Sequence, residues 1–143
     1  MIHYRGKDIQ EALAGLPSEA RDPYEGMTLD FVNPVNGGPV FPTLAYRAQL
    51  LRGGEETRLK RETASTLYVV LEGCGATEIA GRRFDWEEND IFVVPNFLWR
   101  RHVNTTNKDA VLYAVSDAPL MEKVGQYRAQ GRAADGTVDN LVS

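Results

Sequence analysis

The chain has few histidines and cysteines, and each shortage excludes a particular feature: a three-histidine mechanism or an internal disulfide. Among 143 residues there are two histidines, His3 and His102, and one cysteine, Cys74. A mechanism that needs three histidines from one chain is therefore excluded. A single cysteine cannot form an internal disulfide, which is typical of proteins kept in a reducing cytoplasm. We therefore expect a cytoplasmic protein.

Long apolar runs and an excess of basic charge are also missing. Apolar stretches such as 67–71 and 91–94 are far too short to cross a bilayer. The first residues contain no apolar stretch of the kind found in secretory signals. Twenty acidic and 16 basic residues give a net charge of −4, which argues against nucleic acid or an anionic membrane as a partner.

The composition and the ends of the chain predict one globular domain with terminal helices. Hydrophobic residues make up 43% and charged residues 25%, ordinary values for a soluble domain of this size. Asp8 and Glu11 have the spacing of a helix capping box, and Asp117 and Pro119 start a second helix that ends at Gly131. We divide the chain into an N-terminal helix and connector (1–39), a barrel (40–117), and a C-terminal helix with a loose tail (118–143).

Between the two helices the hydrophobic pattern has a period of two, which is typical of strands. The predicted strands cover 41–51, 66–72, 77–79, 82–86, 91–94, 98–104 and 110–116. Ala80-Gly81 marks a hairpin turn between two of them. Short strands at this spacing favour a β-sandwich or a small barrel, so the fold class is predicted to be all-β.

Two series of landmark residues carry a resemblance to a known family. The first series is Gly54, Lys60, Glu62, Thr66 and Gly73, and the second is Gly81, Asp90, Pro95, Arg100 and Asn104. Their spacing resembles the two sequence motifs of the cupin superfamily. The resemblance implies a double-stranded β-helix, also called a jelly-roll barrel, with short N- and C-terminal helices.

Further strings narrow the resemblance. Asn33-Pro34, Phe84-Asp85-Trp86 and the run from Asp90 to Pro95 resemble the C-terminal cupin of gentisate 1,2-dioxygenases and of related salicylate and hydroxynaphthoate dioxygenases. In those two-cupin enzymes histidines of the N-terminal cupin hold ferrous iron, and the C-terminal cupin usually lacks the ligand set. The resemblance implies that this chain is the metal-free half, standing alone.

The four positions of the family's metal ligands support that interpretation. Lys60 and Glu62 stand where the first motif has two histidines, Thr66 where it has a glutamate, and Arg100 where the second motif has a histidine. Lysine and arginine are hydrogen-bond donors only, and their positive charge repels a cation. We therefore predict no metal site, no cofactor and no catalytic residue carried over from the family.

Strand periodicity predicts an interior pocket instead. Residues of one parity point to one face of a sheet, and two such sets would face the barrel interior. The predicted pocket is lined by Lys60, Glu62, Thr66, Tyr68, Arg100, His102 and Asn104. Lys60 and Arg100 beside Glu62 would replace the metal charge and bind a small anionic or aromatic acid, although Lys60 could instead be a solvated rim residue. For His102 a hydrogen-bonded interior role is favoured over that of a residual metal ligand.

Three functions remain open at this point. The first is a metal-free barrel that binds a small organic acid or serves as a structural or regulatory subunit. The second is an Fe(II)-dependent ring-cleaving dioxygenase, and the third is a partner subunit of a separate metal-bearing cupin. The strand at 67–71 is apolar on both faces, so its outer face needs cover, which predicts a homodimer formed by sheet packing.

Overall fold

The computed structural model describes residues 11–13, 15, 21–31, 35–38 and 41–142, and this part of the chain is built from strands. The strands are β1 (Met27–Phe31), β2 (Ala45–Leu51), β3 (Leu59–Glu62), β4 (Thr66–Glu72), β5 (Gly75–Ile79), β6 (Arg82–Trp86), β7 (Ile91–Val94), β8 (Arg100–Val103), β9 (Ala110–Ser116), β10 (Ala129–Arg132) and β11 (Val138–Val142). One short helix, α1 (Ala118–Lys123), follows β9. Within these residues no helix is long and apolar enough to cross a membrane.

The strands form two antiparallel sheets. One has the order β1-β2-β9-β4-β7, and the other has the order β11-β10-β3-β8-β5-β6. The all-β fold predicted from the sequence is confirmed, and β4, β6, β7 and β9 begin and end at the predicted residues. The hairpin between β5 and β6 turns at Ala80 and Gly81, which both have positive φ angles (51° and 79°), as a two-residue type I′ turn requires.

The first sheet carries apolar residues on both faces, and each face buries a separate cluster. The inner cluster joins Tyr68, Val70 and Leu112 to Trp86 of the opposite sheet, so it lies between the sheets. The outer cluster packs Met27, Phe31, Ala48, Leu50 and Val111 around Leu13. Residues 11–13 are helical, whereas the rest of the predicted N-terminal helix, including its cap at Asp8, lies outside the described residues.

The C-terminal prediction was wrong in part. The helix ends at Lys123 rather than at Gly131, and the tail expected to be loose is the hairpin of β10 and β11, which pairs with β3. Gly125, with φ of 71°, follows the helix and favours its termination. Gly131 is a close-approach residue, because a side chain there would overlap the ring of Tyr24.

The sheets extend beyond the predicted barrel segment. Strand β1 falls within 1–39, and strands β10 and β11 fall within 118–143. Division of the chain at residues 40 and 117 stays a prediction, but the barrel draws strands from both sides of it. The connector and the tail therefore contribute to the walls around the interior.

Candidate functional site: a buried charge cluster

A tight loop before β1 carries a glutamate into the barrel. The backbone of Asp22 and Gly26 is joined by two hydrogen bonds of 2.8 Å, and the Asp22 carboxylate accepts a 2.7 Å bond from the amide of Tyr24. Gly26 has a φ of 77°, and a Cβ atom there would come within 2.8 Å of the carbonyl oxygen of Leu50, so only glycine fits. The loop directs Glu25 inward, where it is 3% exposed.

Glu25 is the anion that three basic side chains share. Its Oε1 accepts hydrogen bonds from Lys60 Nζ at 2.9 Å and from an Nη of Arg100. Its Oε2 lies 3.2 Å from an Nη of Arg47 and accepts a 2.7 Å bond from Gln49 Nε2. With Glu62 nearby, these charged residues are called the charge cluster below: Glu25, Arg47, Lys60, Glu62 and Arg100.

The arrangement explains how two cations tolerate each other on neighbouring strands. Lys60 of β3 and Arg100 of β8 are direct cross-strand partners, a position in which like charges repel. Glu25 Oε1 contacts both, so the carboxylate stabilises the pair. Lys60 is not the solvated rim residue that remained an alternative, because its side chain is only 13% exposed and ion-paired.

Electrostatics keep the cluster ionised. Burial by itself would raise the pKa of Glu25, but Arg100, Arg47 and Lys60 together hold that pKa well below its ordinary value. Burial would likewise lower the pKa of Arg100, and the attraction of Glu25 outweighs it, so the pKa is raised. Around neutral pH Glu25 and Arg100 are therefore charged, and their interaction offsets the cost of burial.

Glu62 has a different role from the one expected. It was predicted to be the carboxylate that balances Lys60 and Arg100, but Glu25 occupies that place. Glu62 Oε1 lies 4.0 Å from an Nη of Arg100, and its Oε2 accepts a 2.6 Å hydrogen bond from the hydroxyl of Tyr127. Burial, followed by the negative charge of Glu62, raises the pKa of Tyr127, so this hydroxyl stays protonated and donates.

His102 is fully buried next to the cluster. Its Nδ1 lies 2.8 Å from Thr77 Oγ1, which also accepts a 2.9 Å bond from Trp86 Nε1. Its ring meets Tyr68 edge-on, with 5.0 Å between the centroids. Burial and then the charge of Arg100 lower the pKa of His102 to about 3, so the ring is neutral and takes the hydrogen-bonded interior role favoured from the sequence.

The remaining residues of the predicted pocket are divided between the interior and a loop. Thr66 and Tyr68 are buried on β4. The side-chain amide of Asn104 instead donates to the carbonyls of Leu51 (3.1 Å) and Lys108 (2.7 Å). Because these bonds secure the loop that follows β8, Asn104 is not placed with the charge cluster.

Sequence reasoning missed Glu25, Arg47, Gln49 and Tyr127. Arg47 and Gln49 carried a signal, since they alternate with the apolar face of β2 and therefore share the opposite, inner face. Glu25 carried none, because it belongs to a polar connector without periodicity. Tyr127 was placed on a helix that ends before it.

Ferrous iron does not fit these residues. Of the four family ligand positions, Lys60 and Arg100 hold donor-only cations bound to Glu25, and Glu62 is engaged by Tyr127. Non-haem Fe(II) prefers two histidines and one carboxylate with open positions. In the described part of the chain, no group of three or more His, Cys, Asp or Glu side chains could hold a metal ion.

A small cavity opens beside the cluster. It has a volume of about 80 Å³ and is lined by Asp30, Ala45, Arg47, Glu62, Ala114, Ser116, Ala118 and Tyr127. Sites for drug-sized ligands measure about 300–1,000 Å³. The cavity can therefore take a few water molecules or a very small ligand, and it is too small for an aromatic acid.

Comparison with known proteins identifies relatives that share this β-barrel fold. Residues 47–116 match the family model described as Cupin domain. The chain is 45% identical to 5-aminosalicylate 1,2-dioxygenase from Comamonas sp. over 95% of its own length and 37% of that protein. It is 39% identical to a gentisate 1,2-dioxygenase from Haloferax sp. over 74% of its length and 29% of that protein. The crystal structure of salicylate 1,2-dioxygenase from Pseudoaminobacter salicylatoxidans with gentisate superposes with a TM-score of 0.80 at 32% identity, over 90% of this chain and 36% of that one.

The fold is thus that of a cupin. The chain belongs to the cupin superfamily and is similar to gentisate and salicylate dioxygenases. It spans 29–37% of the length of these relatives.

Proposed function

We propose that this protein is a metal-free cupin that serves as the non-catalytic half of a gentisate-type ring-cleaving assembly. One observation carries the proposal: Lys60 and Arg100 stand at two of the family's ligand positions, and both are bound to Glu25. The carboxylate and the two cations substitute for a metal and its ligands with a self-contained set of charges. Such a set supports a barrel wall without supplying iron chemistry.

The outer surface of the first sheet supports a homodimer. Ile91 and Val93 of the edge strand β7 are 64% and 51% exposed, and Leu67 of the adjacent β4 is 38% exposed. Val93 and Leu67 are cross-strand partners, so the exposed side chains are contiguous. An exposed apolar strip of this kind favours a protein partner, and a second copy of this chain, in the homodimer expected from the sequence, is the occupant we propose.

A second candidate function is ring cleavage by this chain itself. The 45% identity to a relative named 5-aminosalicylate 1,2-dioxygenase favours this candidate, because the relative is named as an enzyme. The chemistry would need an Fe(II) site that the four ligand positions do not offer.

A chimeric enzyme tests the proposal. The region of the Comamonas 5-aminosalicylate 1,2-dioxygenase that matches this chain would be replaced by this chain, and iron content, ring cleavage and mass by light scattering would be measured. We expect the chimera to bind iron and cleave 5-aminosalicylate, and the isolated chain to carry far less than one iron per chain and form dimers. An iron-free, folded chimera would show that the replaced region holds the metal, which contradicts a non-catalytic half.

The isolated chain supplies the complementary measurement. Incubation with Fe(II), oxygen and gentisate or 5-aminosalicylate should give no ring-opened product, with the unaltered Comamonas enzyme as the positive control. Turnover together with near-stoichiometric iron would establish the second candidate instead.

A further inference from the structure

The outer face of the second sheet, formed in part by β3, β8 and β10, carries a stack of cationic and aromatic side chains. Arg61 of β3 points outward, because both its neighbours on the strand belong to the inward-facing charge cluster. Its Cζ atom lies 4.3 Å from the ring centre of Phe97 and 4.5 Å from that of Trp99. The Cζ atom of Arg132 on β10 lies 5.1 Å from the ring centre of Trp99. These four side chains are called the arginine–aromatic stack below.

Arg61 is held in one orientation and still has hydrogen-bond donors to offer. Its Nε donates a 2.8 Å bond to Oε1 of Gln130, whose Nε2 donates a 3.0 Å bond to Oδ1 of Asn140. The two Nη groups of Arg61 have no hydrogen-bond partner within the described residues. A guanidinium fixed by stacking and through Nε presents its remaining donors to an outside acceptor with little further loss of conformational freedom.

The positive charge of the stack is not balanced by a carboxylate from the part of the chain that the structure describes. There, neither Arg61 nor Arg132 lies within ion-pair distance of an acidic side chain. Arg101 on the neighbouring strand β8 differs, because it is ion-paired with Glu56 and Glu78. Although the whole chain has a net charge of −4, this part of its surface is positive and complementary to an acidic partner.

A groove lies beside the stack. It has a volume of about 310 Å³ and is lined, among the described residues, by Thr63, Phe97, Arg128, Gln130, Asn140 and Val142. This lining contains one cation, Arg128, and no carboxylate. It combines hydroxyl, amide and guanidinium groups with two apolar side chains. Because Phe97 belongs to both the groove and the stack, the two form one continuous surface.

Phe97 has a backbone conformation that is rare for a bulky residue. Its φ is 57°, in the left-handed region that favours glycine. The amide of Phe97 donates a 2.6 Å hydrogen bond to the carbonyl of Glu62, which holds the turn between β7 and β8, and Phe97 is 40% exposed. Backbone strain of this kind is concentrated at functional and binding sites, and arginine and tryptophan are among the residues that contribute most to protein interfaces.

We propose that the arginine–aromatic stack and its groove bind an acidic segment of a partner protein. One carboxylate of that segment accepts hydrogen bonds from the Nη groups of Arg61, a second pairs with Arg128, and an apolar side chain between them packs on Phe97. Charge complementarity selects this occupant. A short acidic segment meets only the local positive charge, whereas a long polyanion such as nucleic acid would also meet the net charge of −4 on the whole chain. The inference goes beyond the proposed function and depends neither on iron nor on the homodimer.

Titration with a capped peptide of alternating glutamate and leucine, at constant ionic strength, tests this surface. The same peptide with glutamine in place of glutamate is its control. The indole N–H signals of Trp99 and of the buried Trp86 would be followed by ¹⁵N NMR. We expect the Trp99 signal to shift saturably, with an affinity for the glutamate peptide about tenfold or more above that for the glutamine peptide, while the Trp86 signal stays in place. An unchanged Trp99 signal, or equal affinity for the two peptides, would overturn the proposal.

Two variants and a second anion complete the test. Arg61→Lys keeps the positive charge but loses the planar stacking and the Nε bond to Gln130, so it should fold normally and bind the glutamate peptide about tenfold more weakly. Arg82→Lys, at an exposed position on the edge strand β6 of the same sheet, should bind like the native protein. Equal affinity of the native protein and Arg61→Lys would mean that charge alone attracts the peptide, which contradicts the site whatever the iron measurements on the isolated chain and the chimera show. Tighter binding of a single-stranded oligonucleotide of the same charge would also overturn the proposal, in favour of nucleic acid.

Discussion

The same strands build both ends of the barrel interior, one end from apolar side chains and the other from charged and polar ones. Strand β2 places Arg47 and Gln49 at one end and Leu51 at the other, while β4 passes from Tyr68 to Val70. At the apolar end Trp86 of the second sheet closes the core. At the polar end Glu25 joins three cations. The wall therefore changes from ion pairing to apolar packing between Gln49 and Leu51, which are two positions apart on β2.

Because of this difference, the two ends should respond differently to substitution of their side chains. Burial of apolar surface stabilises roughly in proportion to area, so losses at the apolar end follow the atoms removed. A buried ion pair contributes little net stability when intact, but removal of one partner leaves an uncompensated buried charge. The polar end is therefore the more brittle of the two.

The largest effect should come from Glu25→Gln. This change keeps the shape of the side chain but leaves Arg47, Lys60 and Arg100 without their shared anion, so the free energy of unfolding should fall by about 3–5 kcal/mol. Urea denaturation measures it. Glu78→Gln, which breaks the half-exposed pair with Arg101, is the matched control and should cost about 1 kcal/mol or less. Equal losses in the two variants would refute the special position of Glu25.

A smaller effect is expected at the apolar end. Leu112→Ala removes a fully buried side chain from the inner cluster and should cost about 3 kcal/mol. Unlike the loss in Glu25→Gln, this loss should be the same at low and high salt, because no charge is involved. If the change in urea midpoint caused by Leu112→Ala differed markedly between low and high salt, the two ends would be energetically coupled.

The smallest effect is a dependence on mild acid. His102 has a pKa of about 3 in the folded protein, against roughly 6.5 when exposed. Between these values the unfolded chain binds a proton that the folded chain does not, so stability is lost as the pH falls. The slope should be about 1.4 kcal/mol per pH unit, measured by urea denaturation between pH 6 and pH 5. In His102→Asn the slope should flatten, and an unchanged slope would assign the acid sensitivity to another group.

Much of the barrel could be predicted from local patterns. The boundaries of β4, β7 and β9 follow from alternating apolar residues and turn chemistry, which act over a few neighbouring positions. The hairpin at Ala80-Gly81 follows from the positive φ angles that such a turn requires. The family resemblance also follows from spacing, and the comparisons confirm it. Strands β10 and β11 were missed because their polar residues have little apolar alternation and their pairing with β3 is long-range.

The site was predicted in part. Lys60, Arg100 and His102 were placed inside the barrel by strand parity, and all three are there. The identity of the counter-ion was wrong, because Glu25 reaches Arg100 across 75 positions of sequence from a loop without periodicity. Arg47 and Gln49 lie on the inner face of β2 and could have been predicted there. The prediction considered only the apolar face of that strand.

The amino-acid sequence alone was enough to predict the strand pattern and the cupin family, and it places Lys60, Thr66 and Arg100 where that family's motifs have metal ligands. These properties depend on residue type and on spacing along the chain. The tertiary structure was needed to reveal that Glu25 is the shared anion, that His102 is hydrogen-bonded to Thr77, and that the cavity is small. Each of these depends on the packing of distant strands, since hydrogen-bond direction and enclosed volume are properties of several segments together and of none alone.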